Sequence, residues 1–508
     1  MLAQELLSRP DVNPRLSNYL ASLAEADLSD HRTPFWGKGD RQPILESWLN
    51  VLESNKSRLP GRLMEYELEE LANVGPVSPR HALSSRMPGV RAYFDNRPTS
   101  YPEGFEVYFE RILPGEGKLR PLSFEFALAH MQQNTNSGYP HFTRTRLVVD
   151  EVLREAKAQA DDLLAAILFT RSTSHGPKVE DTRNRTVWGY PKAWSLREMR
   201  YFFPLLDVVS SDATLSALRG TAAVDQAVFS LMEFARFRNV PIYSTDFSGY
   251  DTSLGGPLLS QFMVEVAKSY QASNRVEVEA LDHALQNMPL LVAPDLAMEG
   301  LHGMPSGTTF TNLGDSVIHK AGQKYVARFA DAVEAPMSQV QGDDGLLCFD
   351  RPVDEQRITD AWQSWHLDDN AEKRYVGYDD CQYLRRYYHR DWPAGGIYPT
   401  FRALNSLLGQ ERFYNEDEWG PDMVIIRAIM ILENVKWHPL FAEFVRFVAD
   451  GDIYRLGSAW PGGLRALLSR RRLAKANSIV GLVPAYNQEQ NIRGIFGFQT
   501  AQLIQEGV

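Results

Sequence analysis

A chain of 508 residues, 44% hydrophobic and 23% charged, carries enough apolar material for more than one core, since domains run to about 100–200 residues. That composition excludes a disordered, collagenous or low-complexity protein. With 53 basic against 64 acidic residues, a net charge of −11, it also argues against indiscriminate coating of nucleic acid while leaving room for a local basic channel.

Cys348 and Cys381 are the only cysteines, which excludes a disulfide scaffold and a cysteine-rich zinc site and fits a reducing compartment. No run of about 18 apolar residues and no hydrophobic leader core occurs, so no membrane partner is expected. The first 60 residues read as short helical stretches around turns such as Arg32-Thr33-Pro34. From Thr135 to Lys192 the texture is polar, broken by Gly and Pro, and basic. Asn136-Ser137-Gly138-Tyr139-Pro140 is a loop, and Arg171 to Lys192 holds five Lys/Arg against two acids. Arg197 to Arg236 has a largely helical pattern. Val240 to Asp246 is apolar and β-branched and reads as a strand ending on an acid. Thr308 to Phe329 reads as a long helix after a Pro-Ser-Gly turn. Ser338 to Phe349 reads as a β-hairpin with acids at its tip. From Trp392 onward helix formers dominate, ending in a Gly/Gln/Asn-rich segment.

Each short signal is weak alone: Gly342-Asp343-Asp344 is a common turn composition, and a strand ending near acids suits a helix N-cap region. Their order and spacing are distinctive. Asp246-Phe247-Ser248-Gly249-Tyr250-Asp251 is followed by Pro305-Ser306-Gly307-Thr308-Thr309-Phe310-Thr311-Asn312 and then by Gln341-Gly342-Asp343-Asp344-Gly345. The series resembles motifs A, B and C of the viral RNA-dependent RNA polymerases, most of all those of picobirnaviruses, with partitiviruses next. The likeness covers about 135 to 390; the flanks offer no quotable match.

Phosphoryl transfer needs the attacking 3′-oxygen and the pyrophosphate held in line with charge neutralised at both ends, which two divalent ions achieve. Magnesium, with manganese as the alternative ion, takes few carboxylates because it keeps waters and phosphate oxygens. The resemblance implies that Asp246 and Asp343 bridge the ions and that Asp344 assists, although Asp344 could instead fix the turn. It gives Asp251, Ser306, Thr311 and Asn312 to sensing the ribose 2′-hydroxyl, with Gly307 letting the backbone approach the substrate. Thr311 and Asn312 could alternatively serve the helix backbone. Asp315 stands where picornavirus-like patterns carry Asn, so two neighbouring acids, Asp251 and Asp315, would need a proton or cation between them.

The segment with Lys178, Arg183, Arg185 and Lys192 resembles motif F; Arg185 is the first choice for the triphosphate, Lys178 and Arg183 the second. Ser137 and Gly138 lie in a motif G-like loop at the template entry. Lys373 is the candidate acid for the leaving pyrophosphate. Arg385 and Arg386 lie within Cys381-Gln382-Tyr383-Leu384-Arg385-Arg386-Tyr387, which resembles motif E, whose hairpin steadies the 3′ end of the growing strand. The motif F-like segment, the motif G-like loop and Lys373 also have plain readings as surface loops or solvated charge. Arg465, Arg470, Arg471, Arg472 and Lys475 could track duplex phosphates or face solvent.

The implied fold is α+β, a right-hand polymerase: fingers mostly in 1–240 with an N-terminal extension, palm in 241–390 with an antiparallel sheet and a fingers insertion near 255–300, and a mainly helical thumb and tail in 391–508. Expected partners are RNA template and product, ribonucleoside triphosphates and a viral capsid protein; the expected setting is the host cytoplasm within the virion, for a double-stranded RNA virus starting without primer. The rivals are a reverse transcriptase-like polymerase, which usually shows Tyr-x-Asp-Asp and a bulky residue at the Asp251 position, and a non-enzymatic viral RNA-binding or structural protein. In the tail, Tyr486, Phe496 and Phe498 are candidates to fold back toward the cleft as a priming platform.

Overall fold

The computed structural model describes residues 2–95, 97–158, 164–371, 374–412, 417–479, 481–482 and 492–507. Among the described residues the strands are β1 (Ala166–Thr173), β2 (Arg183–Gly189), β3 (Ile242–Thr245), β4 (Leu290–Ala293), β5 (Leu296–Met298), β6 (Gln339–Gln341), β7 (Asp344–Cys348), β8 (Tyr375–Gly377), β9 (Asp380–Tyr383) and β10 (Arg386–His389). Helices fill most of the remainder.

By internal packing the chain divides into two units. The first comprises Met1–Ala26, Ala82–Thr170 and Thr186–Leu384; the second comprises Asp27–His81, Arg171–Arg185 and Arg385–Val508.

In the first unit one sheet has the order β6-β7-β3-β8. β3 pairs antiparallel with β7, Ile242 opposite Cys348 and Thr245 opposite Gly345, and with β8, Ser244 opposite Tyr375. Being central, β3 and β7 are covered on both faces, which is why Ile242-Tyr243-Ser244-Thr245 and Gly345-Leu346-Leu347-Cys348 are buried throughout. The helix Thr311–Phe329 packs beside this sheet and is itself buried at every position from Leu313 to Gln323. Its polar side chains must therefore find partners inside the protein.

A second sheet has the order β2-β1-β4-β5. β1 runs parallel to β4, Ala166 opposite Leu290, and β4 antiparallel to β5. The 255–300 stretch, expected as an insertion, supplies β4 and β5 and the helices Gly256–Ser269 and Arg275–Asn287. One continuous core of the first unit includes Ile167, Leu168, Tyr243, Phe262, Leu290, Val317 and Trp362.

The second unit is held by Trp48, Phe401, Leu404, Ile429, Phe444 and their neighbours. Two of its helices begin on buried glutamates. Glu67 accepts from the Thr400 and Phe401 N–H groups and the Thr400 hydroxyl, at 2.7, 3.2 and 2.9 Å. Glu433 accepts from the Thr500 N–H and hydroxyl, both at 3.0 Å. A carboxylate satisfies the otherwise unpaired first amides of a helix and complements its dipole.

The second of these caps bears on the tail. Ile495, Phe498, Ala501 and Ile504 are buried in the second unit's core, so Phe498 is a packing residue rather than a platform for a nucleotide. Phe496 stays 43% exposed, and Tyr486 lies outside the described residues. Among the described residues no helix is long and apolar enough to cross a membrane.

Candidate active site

Asp246 follows the last residue of β3 and is exposed. Asp343 is at the tip of the β6–β7 hairpin, also exposed, between Gln341 and Asp344, which pair across it. The turn is Gly342-Asp343, with Gly342 at φ 62°; glycine first with positive φ is the type II′ pattern that suits the twist of a tight hairpin. Because Thr245 is opposite Gly345, the antiparallel register brings the end of β3 to the tip of the hairpin. Asp343 lies in the turn itself, whereas Asp344 opens β7. Asp343 is within electrostatic reach of Asp315 and Tyr250, while Asp344 acts on Tyr383 of β9.

A polar seam on the Thr311–Phe329 helix holds this hairpin. Asn312, Ser316, His319 and Gln323 recur at helical spacing on one face. The Asn312 Oδ1 accepts from Gln341 Nε2 at 2.5 Å. The Ser316 hydroxyl donates to Asn312 O at 2.6 Å and accepts from Gly342 N–H at 2.8 Å. His319 Nδ1 is 3.0 Å from Gly342 O, and Gln323 Nε2 donates to Gln339 O and Leu346 O at 3.2 and 3.3 Å. Burial lowers the His319 pKa to about 4, so its ring is neutral near pH 7.

The motif that precedes this helix is clamped from two sides. The Ser306 hydroxyl accepts from Trp188 N–H of β2 at 3.1 Å, and a Cβ on Gly307 would overlap the Trp188 carbonyl oxygen. From the other side Glu198, buried on the helix Lys192–Val209, accepts from the Thr308 hydroxyl at 2.6 Å and from Thr309 N–H at 2.7 Å. The Thr311 hydroxyl is 2.9 Å from both Pro305 O and Thr308 O. Met304 N–H donates to Asp251 O at 2.8 Å, and Tyr250 donates to Asp315 O at 3.0 Å. Asp315 is buried with Oδ1 lacking a partner among the described residues. Burial first, then Asp251 and Asp343, push its carboxyl well above the ordinary range, which favours the protonated acid.

The model of the family described as viral RNA-dependent RNA polymerase matches residues 115–399. The chain is 32% identical to a protein named a potential RNA-dependent RNA polymerase of human picobirnavirus, a likeness spanning 89% of this chain and 88% of that one. This chain belongs to the viral RNA-dependent RNA polymerases. It superposes on the crystal structure of the RNA-dependent RNA polymerase of a human picobirnavirus with a TM-score of 0.88 at 28% identity, over 99% of this chain and 98% of the other. An insertion-loop deletion mutant of such a polymerase gives 0.85 at 28% identity, covering 97% of each chain. The fold is therefore the α+β right-hand polymerase, and the reverse transcriptase-like and non-enzymatic structural readings are set aside.

Within this polymerase the expected site residues meet different fates. Asp246, Asp251, Ser306, Gly307, Thr311, Asn312, Asp343 and Asp344 all belong to the first unit. Of these, the Ser306 and Thr311 hydroxyls bond the protein backbone, Ser306 as acceptor and Thr311 as donor. Ser137 is 1% exposed, its hydroxyl accepting from Thr143 N–H at 3.2 Å. Gly138 has φ 71° and packs on the Tyr190 carbonyl. Both therefore brace the loop expected at the template entry.

Lys178, Arg183 and Arg185 lie in the second unit and are exposed. On β2 the alternation puts Arg183 and Arg185 on one face, while Asn184 between them donates to Pro79 O and Ser172 Oγ, both at 2.9 Å. Arg385 is exposed. Arg386, its neighbour, is 8% exposed and donates to Gly396 O and Asn434 O at 2.9 and 3.1 Å, contacts that brace this unit. Lys373 lies outside the described residues. Of the thumb cations, Arg472 pairs with Asp422 at 3.1 Å, whereas Arg465, Arg470 and Arg471 are exposed.

Ser316, His319 and Glu198 were not singled out from the sequence. The spacing of Asn312, Ser316, His319 and Gln323 is the available signal, a polar stripe at helical period.

Proposed function

We propose that this polymerase joins ribonucleotides by two-metal chemistry, with Asp246 and Asp343 as the principal magnesium ligands and Asp344 auxiliary. The observation that carries the reading is the β3–β7 register, which brings the Asp246 strand end to the Asp343 hairpin tip. Among the described residues no cluster of three or more His, Cys, Asp or Glu forms a ready-made metal cage. Magnesium needs none, since one or two carboxylates plus phosphate oxygens and waters complete its shell. Exposed hard oxygen donors at adjoining strand ends fit that demand. Bound there, the ions would neutralise charge on the attacking and leaving oxygens. The chain's own residues hold the carboxylates in place through the seam described above. The test is incorporation of labelled ribonucleotides on an RNA template by purified protein. Activity should follow the magnesium concentration and vanish with a chelator; incorporation indifferent to chelation would refute the reading.

Asp251 is proposed to sense the 2′-hydroxyl. The Asp251→Ala variant should lose about tenfold in preference for ribo- over deoxyribonucleotides, the worth of one hydrogen bond near 1.4 kcal/mol. Competition between the two nucleotide types on a primed template reads this ratio, and an unchanged ratio would leave Asp251 a loop-holding acid. Arg185, exposed on β2, is proposed to pair with the triphosphate. In Arg185→Ala the KM for nucleotide should rise by about tenfold, as for loss of a charge-assisted bond. Steady-state kinetics with kcat and KM separated would check it.

By resemblance, Lys373 supplies the proton to pyrophosphate, initiation is primer-independent, and the enzyme transcribes and replicates a double-stranded RNA genome in the host cytoplasm inside particles with capsid protein. Comparison of initiation from single nucleotides with extension of a primer addresses the initiation step.

A further inference from the structure

We propose that His319 is the positioning residue that sets the spacing between Asp246 and Asp343, acting through the residue immediately before each. This rests on the two-metal reading. The ring is fully buried. Nδ1 is 3.0 Å from the carbonyl oxygen of Gly342, which precedes Asp343. Nε2 is 3.5 Å from the hydroxyl of Thr245, which precedes Asp246.

Chemistry fixes the roles. A carbonyl oxygen can only accept, so Nδ1 carries the proton and donates; Nε2 is left with a lone pair facing the Thr245 hydroxyl, at a distance that is loose for a hydrogen bond. The imidazole is thus a bridge of fixed length between the ends of β3 and the hairpin turn.

Three further observations hold the bridge rigid. Phe247, Tyr250 and Trp362 surround the ring, with centroids at 5.0, 6.1 and 5.6 Å. The space between ring and β7 exists only because residue 345 is glycine: a Cβ there would come within 2.5 Å of the His319 Cε1 and 2.7 Å of its Nε2. Ser316, one turn earlier on the helix, holds the other polar group of Gly342, its N–H, at 2.8 Å. The turn that aims Asp343 is therefore gripped at both its donor and its acceptor, while His319 also reaches the strand of Asp246.

The experiment compares His319→Phe, which keeps a ring without polar atoms, with His319→Asn, whose amide can restore the donor to Gly342. Manganese binding to the full-length protein without nucleotide is followed by electron paramagnetic resonance of the free ion, alongside kcat and nucleotide KM on a primed RNA. Loss of a group that orients metal ligands costs about 10–100-fold in metal affinity or activity. His319→Phe should therefore bind manganese at least about tenfold more weakly and lose kcat by a similar factor, with the nucleotide KM within about twofold of the parent's. His319→Asn should recover much of both. A folded His319→Phe that binds manganese and turns over like the parent overturns the proposal. So does a folded His319→Asn as impaired as His319→Phe, since restoring the donor would then make no difference. If His319→Phe does not fold, Thr245→Val, which removes only the hydroxyl, reads the bridge from its other end: manganese binding a few-fold weaker supports it, and unchanged binding overturns it. Asp343→Asn run in parallel separates the two levels. If that variant binds manganese and polymerises normally, the two-metal reading fails; if it is dead while the His319 variants are normal, only the bridge fails.

Discussion

Asp343→Asn is expected to abolish measurable RNA synthesis while leaving the protein folded. Asp343 is exposed at the hairpin tip, so no apolar burial is lost. The features that shape the turn, the positive φ of Gly342 and the Gln341–Asp344 pairing, do not involve its side chain. What disappears is a full negative charge at the proposed ion site. Metal-ion stabilisation of the transferring phosphoryl group is worth several kcal/mol; at 1.36 kcal/mol per decade, the expected fall in turnover is about 10³-fold or more. A melting temperature matching the parent, together with loss of primer extension, is the expected pair of results. Asp246→Ala should behave likewise. Asp344→Asn should cost less, because Asp344 is proposed as the auxiliary ligand only. Parent-like turnover in Asp343→Asn would refute the catalytic assignment.

Gly307→Ala should be nearly as damaging although it adds one methyl group and removes no charge. The new Cβ would overlap the Trp188 carbonyl oxygen and lie 2.8 Å from its carbon. Both are backbone atoms and cannot swing aside. Trp188 cannot retreat easily either, since its ring is 1% exposed and packed against Tyr93, Phe94 and His302 at 5.5, 5.8 and 4.5 Å. Either the Ser306 loop or β2 must shift, and the Ser306–Trp188 bond goes with it. Misplacement by about 1 Å in a catalytic site can cost 10²-fold in rate, and overpacking typically removes about 1–3 kcal/mol of stability. Turnover down by about 10²-fold with a lowered urea midpoint is therefore expected. Gly497→Ala, where a Cβ meets nothing within 4 Å, is the control that should change neither. An unaffected Gly307→Ala would show that this contact relaxes freely.

What the sequence determined by itself was local. The strand ending at Asp246, the acid-tipped hairpin and the helix after Pro305 were legible because alternation, turn chemistry and helical spacing are written within a few residues of where they act. The order of the three motifs then pointed to the family. The second sheet was not legible. β1 lies in a region whose texture is polar, basic and broken by Gly and Pro, β4 in one expected as an insertion, and their parallel pairing joins Ala166 to Leu290, a choice no local pattern encodes. Side-chain direction was also beyond reach. Arg385 and Arg386 are adjacent and chemically identical, yet one is exposed and the other is buried on the Gly396 and Asn434 carbonyls. Ser306, Thr311 and Ser137 looked like groups available to substrate or template, and the fold instead uses their hydroxyls to satisfy buried backbone. A histidine within a helix, such as His319, carries no local signal of its role until Gly342 and Thr245 are brought to its two nitrogens. Residue types and short-range periodicity set the elements and the candidate acids, whereas tertiary packing, by leaving buried polar groups no water to bond, decided which side chains serve the chemistry and which hold it in place.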